Sequence, residues 1–167
     1  MAPDPVNTPR ASFDALYREN SADVFAYAMT LLRDRSAAED VTMAAFERAY
    51  RGRGGFDRRR GTERAWLFGI ARNAALDELR RGRRAAPLLG DPASEDAPDL
   101  DVADPVRRAA VRAALGSLDA RDRELVVLKF LAGLSNAEIA RVLGTSESNA
   151  GTRLHRVIAK LRESCHA

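Results

Sequence analysis

Apolar residues along this chain recur at the spacing of helix faces, and no stretch alternates apolar and polar positions as a half-buried strand does. Phe13, Leu16 and Tyr17 open a stripe that continues through Val24, Phe25, Ala28, Leu31 and Leu32. A second stripe runs through Val41, Ala44, Ala45, Phe46 and Ala49. Ser36, with Glu39 three residues on, reads as the capping box that starts it. Gly52, Gly54 and Gly55 end that helix, and a basic loop from Phe56 to Gly61 follows. Thr62 then caps a long helix from Glu63 to about Arg81. Leu67, Ile70, Ala71 and Ala74 form its core face, and Asn73, Asp77, Arg80 and Arg84 share a second, polar face.

Pro87, Pro92, Pro98 and Pro105 interrupt the pattern, and helices resume near Val106, one to about Leu118 and another from Ala120 to Ala132. The last segment predicts a helix-turn-helix. Ser135 and Glu138 form a capping box, Ala137, Ile139, Ala140 and Leu143 supply apolar positions, and Gly144 stops the helix. Thr145 or Ser146 caps the next helix, where Ala150, Leu154, Val157, Ile158 and Leu161 make one buried stripe. Asn149, Thr152, Arg153, His155 and Arg156 then face outward, placed to meet base edges in a major groove. The predicted fold is all-α: two small helical domains, residues 11–84 and 105–167, joined by a flexible acidic linker over 85–104, with 1–10 a disordered leader.

Charge sharpens this division. The net charge of +3 conceals a basic block over 1–84, six acids and no base over 85–106, and a second basic block over 107–167. Two basic blocks around an acidic segment suggest two nucleic-acid-facing modules. Arg far outnumbers Lys, which coding bias explains as readily as phosphate binding. Cys165 is the only cysteine, so no internal disulfide forms, and with His166 it makes no zinc set. No apolar run approaches the ~18 residues of a membrane span, and a cytoplasmic protein is expected. An enzyme is not: the chain has no glycine-rich phosphate loop, no metal-ligand cluster and no Ser or Cys poised beside a base.

With both halves in view, the chain resembles the extracytoplasmic-function (group 4) sigma factors of bacterial RNA polymerase over nearly all of residues 12–163. The segments that carry this are Ala38-Glu-Asp-Val41 with Phe46-Glu-Arg-Ala-Tyr50, similar to region 2.2, and Ala65 to Arg81, similar to regions 2.3 and 2.4. Leu118 to Leu128 and the helix-turn-helix are similar to region 4. The resemblance implies an alternative sigma factor that binds core polymerase, recognises −35 and −10 elements and promotes melting, with no cofactor. It implies that Glu39, Asp40, Phe46, Arg48 and Tyr50 meet the β′ coiled-coil. Arg58, Arg59, Arg60, Arg80 and Arg81 would grip the −10 strand, Asn73 would read an unstacked base, Trp66 would stack or join the core, and Asp77 would pair with a neighbouring arginine. Ser148, Asn149, Gly151, Thr152, Arg153, His155 and Arg156 would meet the −35 duplex, with Arg153 on phosphate. Leu125, Leu128 and Phe130 would lie in the module's own core or against the β flap. An anti-sigma factor is a further partner class, and membrane insertion is not implied.

The chain departs from its relatives at Met43 and Ala44, where they usually carry Gln and Glu. It departs again at Asn149-Ala-Gly151, where a basic reader is usual, which points to an altered −35 preference and a close backbone approach at Gly151. The competing reading is a stand-alone helix-turn-helix regulator of duplex DNA, which accounts for residues 107–167 but not for Trp66 to Arg81.

Overall fold

A computed structural model of the chain describes residues 8–85 and 105–166; the acidic segment and the start of the leader lie outside them. The described residues form seven α-helices and two 3-10 turns. The first three are α1 (Thr8–Leu32), α2 (Arg35–Gly52) and α3 (Glu63–Ala85), and the last four are α4 (Pro105–Gly116), α5 (Ala120–Phe130), α6 (Asn136–Leu143) and α7 (Glu147–His166). α1 therefore starts at Thr8, inside the segment read as a leader, and α3 runs four residues past Arg81.

Local chemistry explains most boundaries. Asp34, not Ser36, starts α2: its side chain accepts from the Ala37 N–H at 2.8 Å, and Glu39 turns instead to Arg35 at 3.2 Å. An aspartate two residues upstream outcompetes the expected capping box because it stands at the extended residue where the helix begins. Thr62 does cap α3, accepting from the Ala65 N–H at 3.1 Å. The Ser135/Glu138 capping box is complete, and Gly144 takes the left-handed conformation (φ 67°) that turns α6 into α7. Arg123 is buried at the α4–α5 corner and donates to the carbonyls of Leu115 and Leu118, closing the end of α4.

α1, α2 and α3 pack on one another, and α4 to α7 form a second bundle. The two bundles also pack together, α1 against α5 and α3 against α6. One apolar core runs through both, from Val24, Tyr27 and Phe68 to Leu125, Leu128 and Ile139. Three polar bridges cross the same seam. Tyr27 donates to Glu124 at 2.7 Å, and Arg72 pairs with the same carboxylate oxygen at 2.7 Å. Arg64, anchored on Asn20 and Asp23, reaches the carbonyls of Leu131 and Ala132 where α5 ends. Glu138 of α6 accepts from Thr62 at the start of α3.

Candidate nucleic-acid and polymerase interfaces

The basic loop between α2 and α3 is a built structure. Asp57 accepts from the Arg59 N–H at 3.0 Å and so starts the 3-10 turn Arg58–Arg60, which leaves all three arginines exposed. Gly61 follows with φ 142°, a backbone setting that disfavours side chains, and delivers Thr62 to the start of α3. Trp66, one turn into α3, is half-buried with its ring 5.3 Å from that of Phe56. Beside them opens a cavity of about 430 Å³, lined by Phe56, Arg60, Trp66 and Asn73, and on its far wall by Glu138 and Val142 of α6. Asn73 is exposed, so its amide offers both a donor and an acceptor beside an aromatic wall and a cation. That combination suits an unstacked base.

Further along α3, Asp77 lies between Arg80 at 3.3 Å and Arg48 of α2 at 3.5 Å. It ties the two helices together. Arg80 and Arg81 remain largely exposed, Arg81 beside Glu78 at 3.1 Å.

On α2 the expected polymerase contacts divide. Glu39, Asp40 and Arg48 are exposed. Phe46 is only 4% exposed and sits edge-on to Phe13 and Tyr17, so its ring is part of the core. Tyr50 is part-exposed, with Phe13 edge-on to its ring and the Arg53 guanidinium 3.9 Å above it. Met43 is 74% exposed and lies on the same face as Asp40, so this surface carries a flexible apolar side chain.

The helix-turn-helix presents most of its expected outer face, but Arg153 turns inward to α5. Ser146, not Thr145, caps α7 by accepting from the Asn149 N–H at 3.1 Å. Ser148, Thr152, His155 and Arg156 are exposed. Asn149 is exposed too, but its amide turns back to donate to the Thr145 hydroxyl at 2.6 Å. Arg153 pairs with Asp122 at 3.0 Å, and Lys160 reaches the other oxygen of that carboxylate at 3.4 Å. These pairs hold α7 on α5. Gly151 meets its own fold: a Cβ there would stand 3.4 Å from Asn136 of α6. Leu125 and Leu128 are core, whereas Phe130 is 64% exposed at the end of α5.

Two participants escape a reading of the sequence. Phe56 looks like a loop residue until the fold sets it against Trp66. Glu138 was legible as a local cap, but nothing in the sequence joins it to Thr62, 76 residues away. Burial pushes the Glu138 carboxyl up, yet the hydrogen bonds from Ser135 and Thr62 together outweigh it and hold the group below its ordinary value. Among the described residues no group of three or more His, Cys, Asp or Glu could hold a metal ion, and no helix is long and apolar enough to cross a membrane.

Comparison with known proteins places these surfaces in context. The family described as Sigma-70 region 2 matches residues 16–85, and that described as Sigma-70, region 4 matches residues 108–161. The chain is 34% identical over 152 residues to the ECF RNA polymerase sigma factor SigL of Mycobacterium tuberculosis, covering 89% of this chain and 85% of that protein. It is 33% identical to the ECF RNA polymerase sigma factor BldN of Streptomyces coelicolor, over 90% of this chain and 59% of that one. Among solved structures, CnrH in complex with the cytosolic domain of CnrY has a TM-score of 0.64 at 30% identity, over 92% of this chain and 87% of CnrH. Sigma factor RpoE, in complex with the anti-sigma factor NepR from Bartonella quintana, has a TM-score of 0.69 at 23% identity, over 93% and 98%; that likeness is one of fold.

Proposed function

This chain belongs to the extracytoplasmic-function (ECF) sigma factors of the sigma-70 family, and from that membership we propose how its surfaces divide the work of starting transcription. It is an alternative sigma factor for transcription initiation, and sigma factors are not enzymes. Residues 11–84 form the module for core polymerase and the −10 element, 105–167 the module for the −35 element, and 85–104 the tether between them. The work is done in the cytoplasm, where core polymerase and promoter DNA meet.

The exposed face of α2 around Glu39, Asp40, Arg48 and Tyr50 docks on the β′ coiled-coil, with Asp40 fixing orientation through a charge-assisted pair. Phe46 acts there only from beneath, by holding α1 against α2. The exposed Phe130 is the apolar element offered to the β flap. Arg58, Arg59, Arg60, Arg80 and Arg81 hold the −10 strand, while Asn73 reads a base that enters the cavity beside Trp66. Thr152, His155 and Arg156 read the −35 duplex together with Ser148, Asn149 and the backbone near Gly151. Reading by Asn149 requires its amide to leave Thr145. An anti-sigma factor is the remaining partner class that membership of this family offers.

The observation that carries this reading is the exposed amide of Asn73 beside an aromatic wall and a basic turn, in a chain that also presents an open recognition helix. Its test is transcription in vitro with sigma-free core polymerase on a genomic library, with 5′ ends mapped. Discrete starts that share −35 and −10 elements are the expected result. Sequence-specific duplex binding without any start would leave the stand-alone regulator instead. On the promoter so found, Asn73→Ala should flatten discrimination across a −10 library, and unchanged discrimination would remove Asn73 from the reading role.

A further inference from the structure

Beneath the outer face of α7 lies a carboxylate that engages two of its cations. Asp122, in the first turn of α5, is only 7% exposed. One of its oxygens accepts from the Arg153 guanidinium at 3.0 Å, and the other meets the Lys160 ammonium at 3.4 Å. Arg153 and Lys160 lie about two turns apart on α7, so a single anion serves a whole stripe of that helix. Asn149 stands one turn before Arg153, and Arg156 one turn before Lys160, so the stripe borders the open recognition face. Neither cation is sealed in with its partner: the Arg153 side chain is 36% exposed and that of Lys160 62%. The Asp119 carboxyl is held below its ordinary value first by the Asp122 N–H that it caps, with the same two cations adding to the effect. Among the described residues, however, Asp122 is the acid that pairs with both.

Arginine and lysine beside a recognition helix ordinarily serve the DNA backbone, where each contact releases counterions and carries no sequence information. Here a phosphate in water competes with a carboxylate shielded from it. Water and salt screen the first attraction, whereas parting from Asp122 strands a buried charge, which is the larger penalty. Arg153 makes the shorter and less exposed pair, so it is held more firmly than Lys160. What remains on the open face is Thr152, His155 and Arg156. In a non-specific complex α7 can settle wherever its cations find phosphates, while base contacts fix its register in the specific one. Cations kept out of reach therefore weaken wrong duplexes more than the right one.

We propose that Asp122 sharpens −35 specificity as a positioning residue that keeps Arg153 and Lys160 off the phosphate backbone. This role rests on the −35 reading of α7 given above.

The test uses holoenzyme assembled from the full chain and core polymerase. It is titrated over a salt series onto two labelled duplexes that end upstream of the −10 element. One carries the −35 sequence common to the mapped starts, and in the other that sequence is scrambled. Asp122→Asn keeps the shape of the side chain and removes its charge. On the scrambled duplex it should steepen the slope of log K against log salt by about 0.9 for each cation released. At about 0.1 M salt the same relation raises non-specific affinity roughly 8-fold per cation. The −35 duplex should gain less, so the ratio between the two falls. Adding Arg153→Ala to Asp122→Asn should take back roughly one such 8-fold step. Arg153→Ala alone should leave the slope on the −35 duplex unchanged, because the guanidinium is not on a phosphate. Glu163→Gln, which removes an exposed acid from the same helix, should leave slope and ratio as they are. The proposal is overturned if Asp122→Asn gains equally on both duplexes or on neither, or if Glu163→Gln gains as much. It is also overturned if Arg153→Ala alone flattens the slope by about 0.9. Should Asp122→Asn lose far-UV helicity, the Arg153→Ala slope decides by itself. A wild type that binds both duplexes alike ends the −35 reading and the role of Asp122 with it. A wild type that discriminates, beside an Asp122→Asn chain that discriminates equally, ends only the role of Asp122.

Discussion

The Tyr27 phenol lies fully buried at the seam between the bundles and donates to Glu124. Burial, and after it the charge and hydrogen bond of Glu124, push its pKa well above the usual 10.0. A raised value in the folded chain means that its contribution is whole below pH 10.0 and is lost as pH climbs from there towards the folded value. Spectrophotometric titration should therefore find one of the three tyrosines ionising late, and Glu124→Gln should move that step down. A titration in which no tyrosine lags would count against the buried pair. On α7, Arg156 is exposed and forms no ion pair with the described residues. Arg156→Ala should cost ~1–3 kcal/mol of discrimination among −35 sequences if it meets a base edge. A loss uniform across all −35 sequences, with a shallower salt dependence, would move it to the phosphates.

Helices, turns and caps were largely legible in the sequence because each depends on residues within one turn. The Ser135/Glu138 box, the Thr62 cap and the Gly144 turn were read directly, and all stand in the structure. The failure at Ser36 was also local: two cap signals two residues apart competed, and aspartate at 34 won. Gly144 gives the sharpest test at this scale. Its φ of 67° is one that a side chain resists, so Gly144→Ala should cost roughly 1–2 kcal/mol and lower the melting temperature by several degrees. Unchanged stability would mean that the turn relaxes. The candidate site was legible only in part. Asn73, Trp66 and the three loop arginines share a short stretch, whereas Phe56 and Glu138 join them through packing that periodicity cannot encode.

For the molecule as a whole, the two basic blocks and their order along the chain were readable, and the seam between them was not. Charge blocks and prolines mark where one bundle stops and another begins, but they carry no information about whether the two touch. The seam combines a continuous apolar core with the Glu124, Arg64 and Glu138 bridges. A shared core makes the bundles cooperative. Far-UV circular dichroism and Trp66 fluorescence should report one common melting midpoint for the free chain, and Glu138→Gln should separate them. Two transitions in the unaltered chain would show that each bundle stands alone.

The double duty of Glu138 also limits how such chains can be recombined. A residue that finishes its own helix and grips a distant one travels with the helix-turn-helix, so transplanting residues 105–167 onto another N-terminal half carries the acceptor along. The donor stays behind, because it is the hydroxyl and N–H at Thr62. A hybrid should therefore recognise its −35 sequence faithfully whatever half it is given. It should keep the full Glu138 bridge between its bundles only when the new half begins its third helix with serine or threonine. Interchangeability in promoter choice and interchangeability in how the two bundles fit are then separate properties, and the residue at position 62 bears only on the second.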